Sequence, residues 1–439
     1  TMTRSHAGRR KVLAATAAAL ALSLVAACSS GGDDTDGGSS DGASSSGGGA
    51  GETIQFFLSG DANQGGGFAH MAEKYKEETG VTVEIVDLAN ADLPTKLKNA
   101  AQANDLPALA RVGGVDPVWI NATVDLAEVA ESSDIKMDLA AVDPDGKVLS
   151  LPTDVTAVGM FINKTAFDAA GVAFPTTLDD AWTWDEYVAA VKEVQDKADK
   201  SYGMVVDRSS HRLKAFLFEF GSEWFQPNAD GEWETNDETK TAFEYFKSLN
   251  DDSFMPRSVW LSDGDGNALF KSGDVVSYMS GSWQIADFST NITDFEWASV
   301  PLPKQPVEAT NYGNAANIVV FDGTGEEQLA TDFVTWLYQP ENYTELAETS
   351  GFLPAVNGLD ITYASNPEAF ALYNESIERS PEVVGKIKAN DLAYEVAGLA
   401  TEGDPVRDEF IKYLNDEQDV DTTIANIIAQ LTDQLGPLP

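Results

Sequence analysis

The sequence predicts an α/β fold with additional helices at its C-terminal end. Three observations predict it. A strand, a helix and a second strand follow one another directly over residues 54–86. Further apolar strands at 155–162, 275–279 and 317–321 alternate with helical patterns. From residue 328 to Leu435 the chain reads as mostly helical.

Ile54-Gln55-Phe56-Phe57-Leu58 is a short apolar strand. Gly60 to Gly67 is a turn, and Phe68, Met71, Ala72 and Tyr75 then recur at helical spacing until Gly80. Val81 to Val86 alternates with period two, so the unit reads as βαβ in a parallel sheet. A helix carrying Leu93, Leu97 and Ala101 leads to a short strand at Leu109–Val112. Val155 to Ile162 is an apolar strand, and Thr183-Trp184-Asp185-Glu186 is a capping box that opens a helix. Phe243, Phe246 and Leu249 mark another helix. Val275 to Met279 is a strand ending in Ser280-Gly281-Ser282. Asn317 to Phe321 is a strand, and the helix from Gln328 to Tyr338 ends at Gln339-Pro340. No tandem repeat of fixed period is present.

The N-terminus reads as an export signal over residues 1–27. Arg4, Arg9, Arg10 and Lys11 precede an apolar run from Val12 to Ala27, too short and too alanine-rich to span a bilayer. Val25-Ala26-Ala27-Cys28 resembles the lipobox of bacterial lipoproteins, so Cys28 is expected to carry lipid at the outer face of a cell membrane. The Arg9-Arg10 pair leaves the secretory and twin-arginine routes both open. Residues 29–51 contain only Ser, Gly, Asp, Thr and Ala and are expected to form a disordered tether spanning roughly 25–30 Å. Cys28 is the single cysteine, which excludes a disulfide framework, a thiolate metal site and a cysteine nucleophile. The net charge of −43 argues against nucleic acid and against an electrostatic membrane surface.

Four stretches then carry a resemblance. Gly146-Lys147-Val148-Leu149-Ser150-Leu151-Pro152 leads through Val155–Ile162 to Asn163-Lys164, Phe167, Ala170-Gly171 and Pro175. Thr183 to Tyr187 follows, then Phe270-Lys271-Ser272-Gly273 with Met279-Ser280-Gly281-Ser282-Trp283. Phe333 to Leu337, Gln339-Pro340-Glu341 and Gly351-Phe352-Leu353-Pro354 complete the set. In this order and spacing they resemble extracellular solute-binding family 1, the maltose-binding-protein-like carbohydrate-binding lipoproteins of bacterial ABC importers. The resemblance covers the chain from about residue 52 onward. It implies a two-lobed periplasmic-binding-protein-like fold of type II with discontinuous lobes: 52–155 with 313–353, and 156–312 with 354–439. The chain would cross between lobes near Thr153–Thr156, Tyr312–Asn317 and Phe352–Ala355. It further implies hinge closure on a carbohydrate, an oligosaccharide by the supply of aromatic plates, and docking on permease subunits by a monomer with no catalytic activity.

A sugar presents hydroxyls around an apolar C–H face, so its site needs an aromatic plate and a polar rim. A plate covering about 60 Å² contributes on the order of 1.5 kcal/mol. Hydroxyl bonds to charged groups add roughly 1.5–3 kcal/mol each. Nine tryptophans supply plates. Trp283, after a strand and Gly281-Ser282, is the leading candidate, and its family counterpart stacks on sugar. Asp61 follows the first strand, and Asp116 and Trp119 follow the third, at the carboxyl ends where α/β sheets bind ligands. By the resemblance, Asp154 and Thr156 on the first crossover, Tyr312 and Asn314 on the second, and Phe352 on the third face the cleft. Ser209-Ser210-His211-Arg212 precedes an apolar helix, where His211 and Arg212 serve either as ligand contacts or as a capped helix start. Trp224-Phe225, in a polar loop after Gly221, reads as an exposed aromatic pair and a second plate.

No cofactor or metal site is expected. Asp263-Gly-Asp-Gly-Asn267 hints at a calcium loop, but Ala268 and Asp274 stand where glycine and glutamate are needed, so it reads as a turn. Two other functions remain open at this point. A polyamine or peptide receptor also uses tryptophan with carboxylates. A secreted glycoside hydrolase needs two carboxyls about 5–9.5 Å apart.

Overall fold

Alternation builds the first strand: β1 (Thr53–Ser59) buries Ile54, Phe56 and Leu58 in the main core and turns Phe57 into a smaller one on the other face. The computed structural model describes residues 51–439, apart from the side chains of 314 and 315. The expected signal over 1–27, the lipid site at Cys28 and the tether up to residue 50 lie outside the described residues. Gly51, assigned by composition to the tether, already belongs to the body, its N–H donating to Gly80 O at 3.0 Å.

The helix Gly67–Thr79 lays Phe68, Met71, Ala72 and Tyr75 on β1 and stops where Gly80 adopts φ 79°. β2 (Thr82–Leu88) then runs parallel to β1, with Thr82 opposite Thr53. After the helix Leu93–Ala103, β3 (Leu109–Val112) joins β1 on its other side, also parallel. β4 (Ala141–Val142) and β5 (Val148–Asn163) follow, then β6 (Tyr202–Val206) and the two-residue strands β7 (Gln226–Pro227) and β8 (Trp233–Glu234). β9 (Val275–Gly281), β10 (Trp297–Val300) and β11 (Tyr312–Val320) complete the strands. The main sheet has the order β2-β1-β3-β11-β5-β9-β6, with β4 and β10 also on β5. The capping box at Thr183 has both arms: Glu186 N donates to Thr183 Oγ1 at 3.2 Å, and Thr183 N to Glu186 Oε2 at 2.8 Å. Helices Pro367–Arg379, Glu382–Val396, Pro405–Leu414 and Val420–Gln434 form the expected C-terminal addition. Among the described residues no helix is long and apolar enough to cross a membrane.

β5 and β11 are longer than the apolar pattern predicts. Pro152, Thr153 and Asp154 interrupt the pattern in one, and in the other the apolar pattern begins only at Asn317. The two polar stretches become strand by pairing with each other, from Tyr312 opposite Ala157 to Ile318 opposite Leu151. The first half of β5 thus joins the β1–β3 side, and its second half pairs β9 and β10. Val155 also pairs with Leu353, its N–H donating to Leu353 O at 2.9 Å. The three segments expected as crossings therefore lie side by side at Val155.

Candidate ligand-binding site

β9 ends at Gly281, and Trp283 opens the helix Gln284–Asn291. A Cβ on Gly281 would collide with the Trp283 indole and lie 2.6 Å from Ala157 O, so only glycine lets the ring fold back over the strand end. The guanidinium carbon of Arg212 lies 4.5 Å from the Trp283 ring centroid, and the His211 ring 5.9 Å away. Arg212 is held by Ser209 Oγ at 3.0 Å and by Asp207 Oδ2 at 3.3 Å. Burial raises the pKa of Asp207, and its bonds to Tyr278 and Arg212 offset part of that.

Trp283, half-buried, lines a cavity of about 680 Å³. The loop Asn63–Gly65 and residues Glu348–Gly351 at the end of the helix Pro340–Ser350 line it too. Two carboxylates hold that loop. Asp61 accepts from Phe68 N and Ala69 N, both at 2.9 Å, where the exposed N–H groups and the helix dipole favour an anion. Asp87 accepts from Gly60 N at 2.7 Å and Ala62 N at 3.0 Å. Gly65, at φ 80°, is pressed so closely on Thr349 O that no side chain fits. The loop thus brings Asn63 and Gln64, as polar rim, to the cavity that the Trp283 indole lines. Tyr363 and Phe370, stacked with centroids 3.7 Å apart, line the same cavity.

The other sequence candidates are distributed as follows. Asp61 organises the loop and lines neither this cavity nor the second one described below. Asp116 pairs with Lys98 at 3.0 Å and accepts from Val118 N at 2.9 Å. Trp119 is only 2% exposed and packs edge-on against Phe321 at 5.5 Å, in the smaller core. Asp154 is buried in an ion pair with Arg111 at 2.7 Å, and Arg111 Nε donates to Thr153 Oγ1 at 3.0 Å. Thr156 Oγ1 donates to Gly313 O at 3.4 Å, tying β5 to β11. Tyr312 is half-buried with its hydroxyl 3.5 Å from Asp138 Oδ2. Asn314 lies in β11, and its side chain is outside the described ones. Phe352 is buried against Tyr343, and its carbonyl accepts from Tyr363 OH at 2.8 Å.

The expectation of an exposed Trp224-Phe225 pair is corrected. The rings meet edge-on at 5.5 Å and are 6% and 2% exposed. The polar loop around them folds over as the β7–β8 hairpin, which a residue-by-residue reading of polarity does not reveal. Trp224 instead lines a second cavity, of about 370 Å³, together with His211. His211 is both a helix-start residue, its N–H donating to Ser209 Oγ at 3.2 Å, and a cavity residue. Burial lowers its pKa well below the usual value, and Lys388, Arg212 and Lys214 add to that, so the imidazole is neutral. Sequence reasoning missed Tyr363, Phe370, Asn63 and Gln64. Only proximity in the fold joins them to Trp283; their spacing carries no signal.

Among relatives, the chain is 25% identical over 211 residues to an arabinooligosaccharide-binding protein of Halalkalibacterium halodurans, covering 46% of each. It is 23% identical over 387 residues to an sn-glycerol-3-phosphate-binding periplasmic protein of Brucella abortus, covering 79% of this chain and 84% of that one. It spans about half the length of the first curated relatives it matches. In structure it is similar to the cyclic alpha-maltosyl-1,6-maltose binding protein from Arthrobacter globiformis, with TM-score 0.67 at 22% identity, covering 87% of this chain and 98% of that one. An ABC substrate-binding protein from Listeria monocytogenes in complex with cycloalternan gives TM-score 0.67 at 19% identity, with 87% and 98% covered. The fold is that of the two-lobed binding proteins. The family model described as bacterial extracellular solute-binding protein matches residues 70–371, well over half of the sequence, and the chain belongs to that family.

Proposed function

We propose that the protein captures a carbohydrate beside Trp283 and delivers it to the membrane subunits of an ABC importer. The observation that carries this reading is the half-buried indole after β9, which lines a cavity of about 680 Å³ together with a polar loop. That volume suits a sugar chain better than a single ring. The relative named for an arabino-oligosaccharide and the neighbour bound to cycloalternan support an oligosaccharide.

The lobes we infer are 52–155 with 313–353, and 156–312 with 354–439, hinged where the three segments meet at Val155. The protein acts outside the cytoplasm, as its family does. Lipid on Cys28 anchors it to the outer membrane face as a monomer, and it binds without turnover. Asp287 is a carboxylate in the cavity wall. Burial works to raise its pKa, but bonds from Asn291, Asn267 and Lys271 outweigh burial and lower it.

A thermal-shift panel of mono- and oligosaccharides tests the reading. A true ligand at a hundred times its Kd stabilises by about 2.7 kcal/mol. Stabilisation by spermidine or peptide alone would replace the carbohydrate. Release of reducing ends from an oligosaccharide would replace binding by hydrolysis.

A further inference from the structure

The second cavity, of about 370 Å³, is lined by His211, whose ring lies 5.9 Å from that of Trp283 in the wall of the first. In a chain of net charge −43 this cavity gathers cations: Lys214 and Lys388 line it, and Arg212 stands beside His211. Lys388 reaches from the helix Glu382–Val396 to the hinge strand, where a Cβ on Gly313 would lie 2.9 Å from its Nζ.

The acids around it are already engaged. Asp391 Oδ2 takes Lys214 Nζ at 3.0 Å. Asp404 caps the helix Pro405–Leu414, accepting from Arg407 N at 3.1 Å, and takes Ser210 Oγ at 2.6 Å. Glu395 Oε1 accepts from Val115 N at 2.7 Å. Lys388 has no ion-pair partner among the described residues. Burial and the Lys214 ammonium both lower its pKa, partly opposed by Asp391 and Glu395.

Two further groups suit a ring with an acidic substituent. Asn311 Nδ2 lies 2.7 Å from His211 Nδ1 and also donates to His211 O at 3.0 Å. The amide is therefore the donor, and the imidazole carries its proton on Nε2. Trp224 supplies an indole wall, with Lys214 Nζ 4.9 Å from its ring centre. Its backbone holds φ 60°, a left-handed conformation costly for an aromatic residue.

We propose that this cavity is a subsite for an acidic sugar residue, whose anionic group pairs with Lys388. A half-buried ammonium without an ion-pair partner is costly, and a ligand anion offsets that cost where a hydroxyl does so only weakly. The proposal rests on the carbohydrate reading of the neighbouring site. It favours a uronic acid carboxylate, and a sugar phosphate shares the same chemistry.

The test titrates the protein with matched oligosaccharides ending in glucuronic or galacturonic acid, or in the corresponding neutral sugar, with a hexose phosphate as a further arm. The acidic member of a pair should bind roughly tenfold or more tighter. Lys388→Met should abolish that preference, and Lys388→Arg should restore most of it. A hexose phosphate binding in place of the uronates would overturn the carboxylate assignment. Equal affinity for acidic and neutral members, or an unchanged ratio in Lys388→Met, would overturn the subsite. Binding of none of these sugars would instead remove the carbohydrate reading itself.

Discussion

Arg212 lies over the indole of Trp283, its guanidinium carbon 4.5 Å from the ring centroid. The stacking plate is therefore not bare. One face carries a cation whose Nε is buried without a hydrogen-bond partner among the described residues. A sugar either displaces this cation or uses the rest of the indole, with Arg212 ready to donate to its hydroxyls.

Trp283→Ala should weaken sugar binding by about 1.5–3 kcal/mol, roughly ten- to a hundredfold in Kd, with little change in melting temperature. Gly281→Ala should weaken binding as well without touching the ligand, because its methyl collides with the ring. It should also cost about 1–3 kcal/mol of stability by overpacking. Calorimetric titration and thermal melts of the two variants check this. Unchanged affinity in Gly281→Ala would mean that the ring position is not what the sugar reads.

The buried pair of Arg111 and Asp154 ties β3 to β5. Asp154→Ala leaves the Arg111 guanidinium buried and unpaired and should cost about 3–5 kcal/mol. Arg111→Met with Asp154→Leu should recover most of that loss. Denaturant titration measures both variants. If Asp154→Ala instead lowers affinity with stability unchanged, Asp154 contacts ligand and this placement is wrong.

Glu219, fully buried, accepts from Trp184 Nε1 at 2.6 Å. Burial raises its pKa well above the usual value, and the Trp184 bond offsets only part of that. A carboxyl whose folded pKa is raised is best tolerated below its unfolded value. Stability is lost as pH climbs from about 4.3 to the folded pKa and is level above it, by about 1.4 kcal/mol per unit of displacement. Glu219→Gln should remove this slope, so its advantage over the natural protein should be larger at pH 8 than at pH 4.5. Urea melts at the two pH values show whether the advantage grows.

Much of the fold was legible because local signals agreed with one another. The βαβ start, the cap at Thr183, the strand before Trp283 and the stop at Pro340 each had periodicity and termination chemistry in step. β5 and β11 were foreshortened because Pro152–Asp154 and Tyr312–Ala315 gain strand geometry only from one another. Of the residues singled out in the sequence, Trp283, His211 and Trp224 line the two cavities. Asp61 and Asp154 stand near the right segments, yet their carboxylates are committed to helix N–H groups and to Arg111. A sequence shows that an acid is present, not what already occupies it. Trp119 and Trp224 illustrate the same limit, since the burial of an indole is decided by chain segments far away.

The most direct test of carbohydrate capture is calorimetric titration of the protein with an oligosaccharide panel, repeated on Trp283→Ala. Saturable one-to-one binding of at least one oligosaccharide is expected, weakened roughly tenfold or more by the substitution. Tight binding that survives the loss of Trp283 unchanged would contradict it.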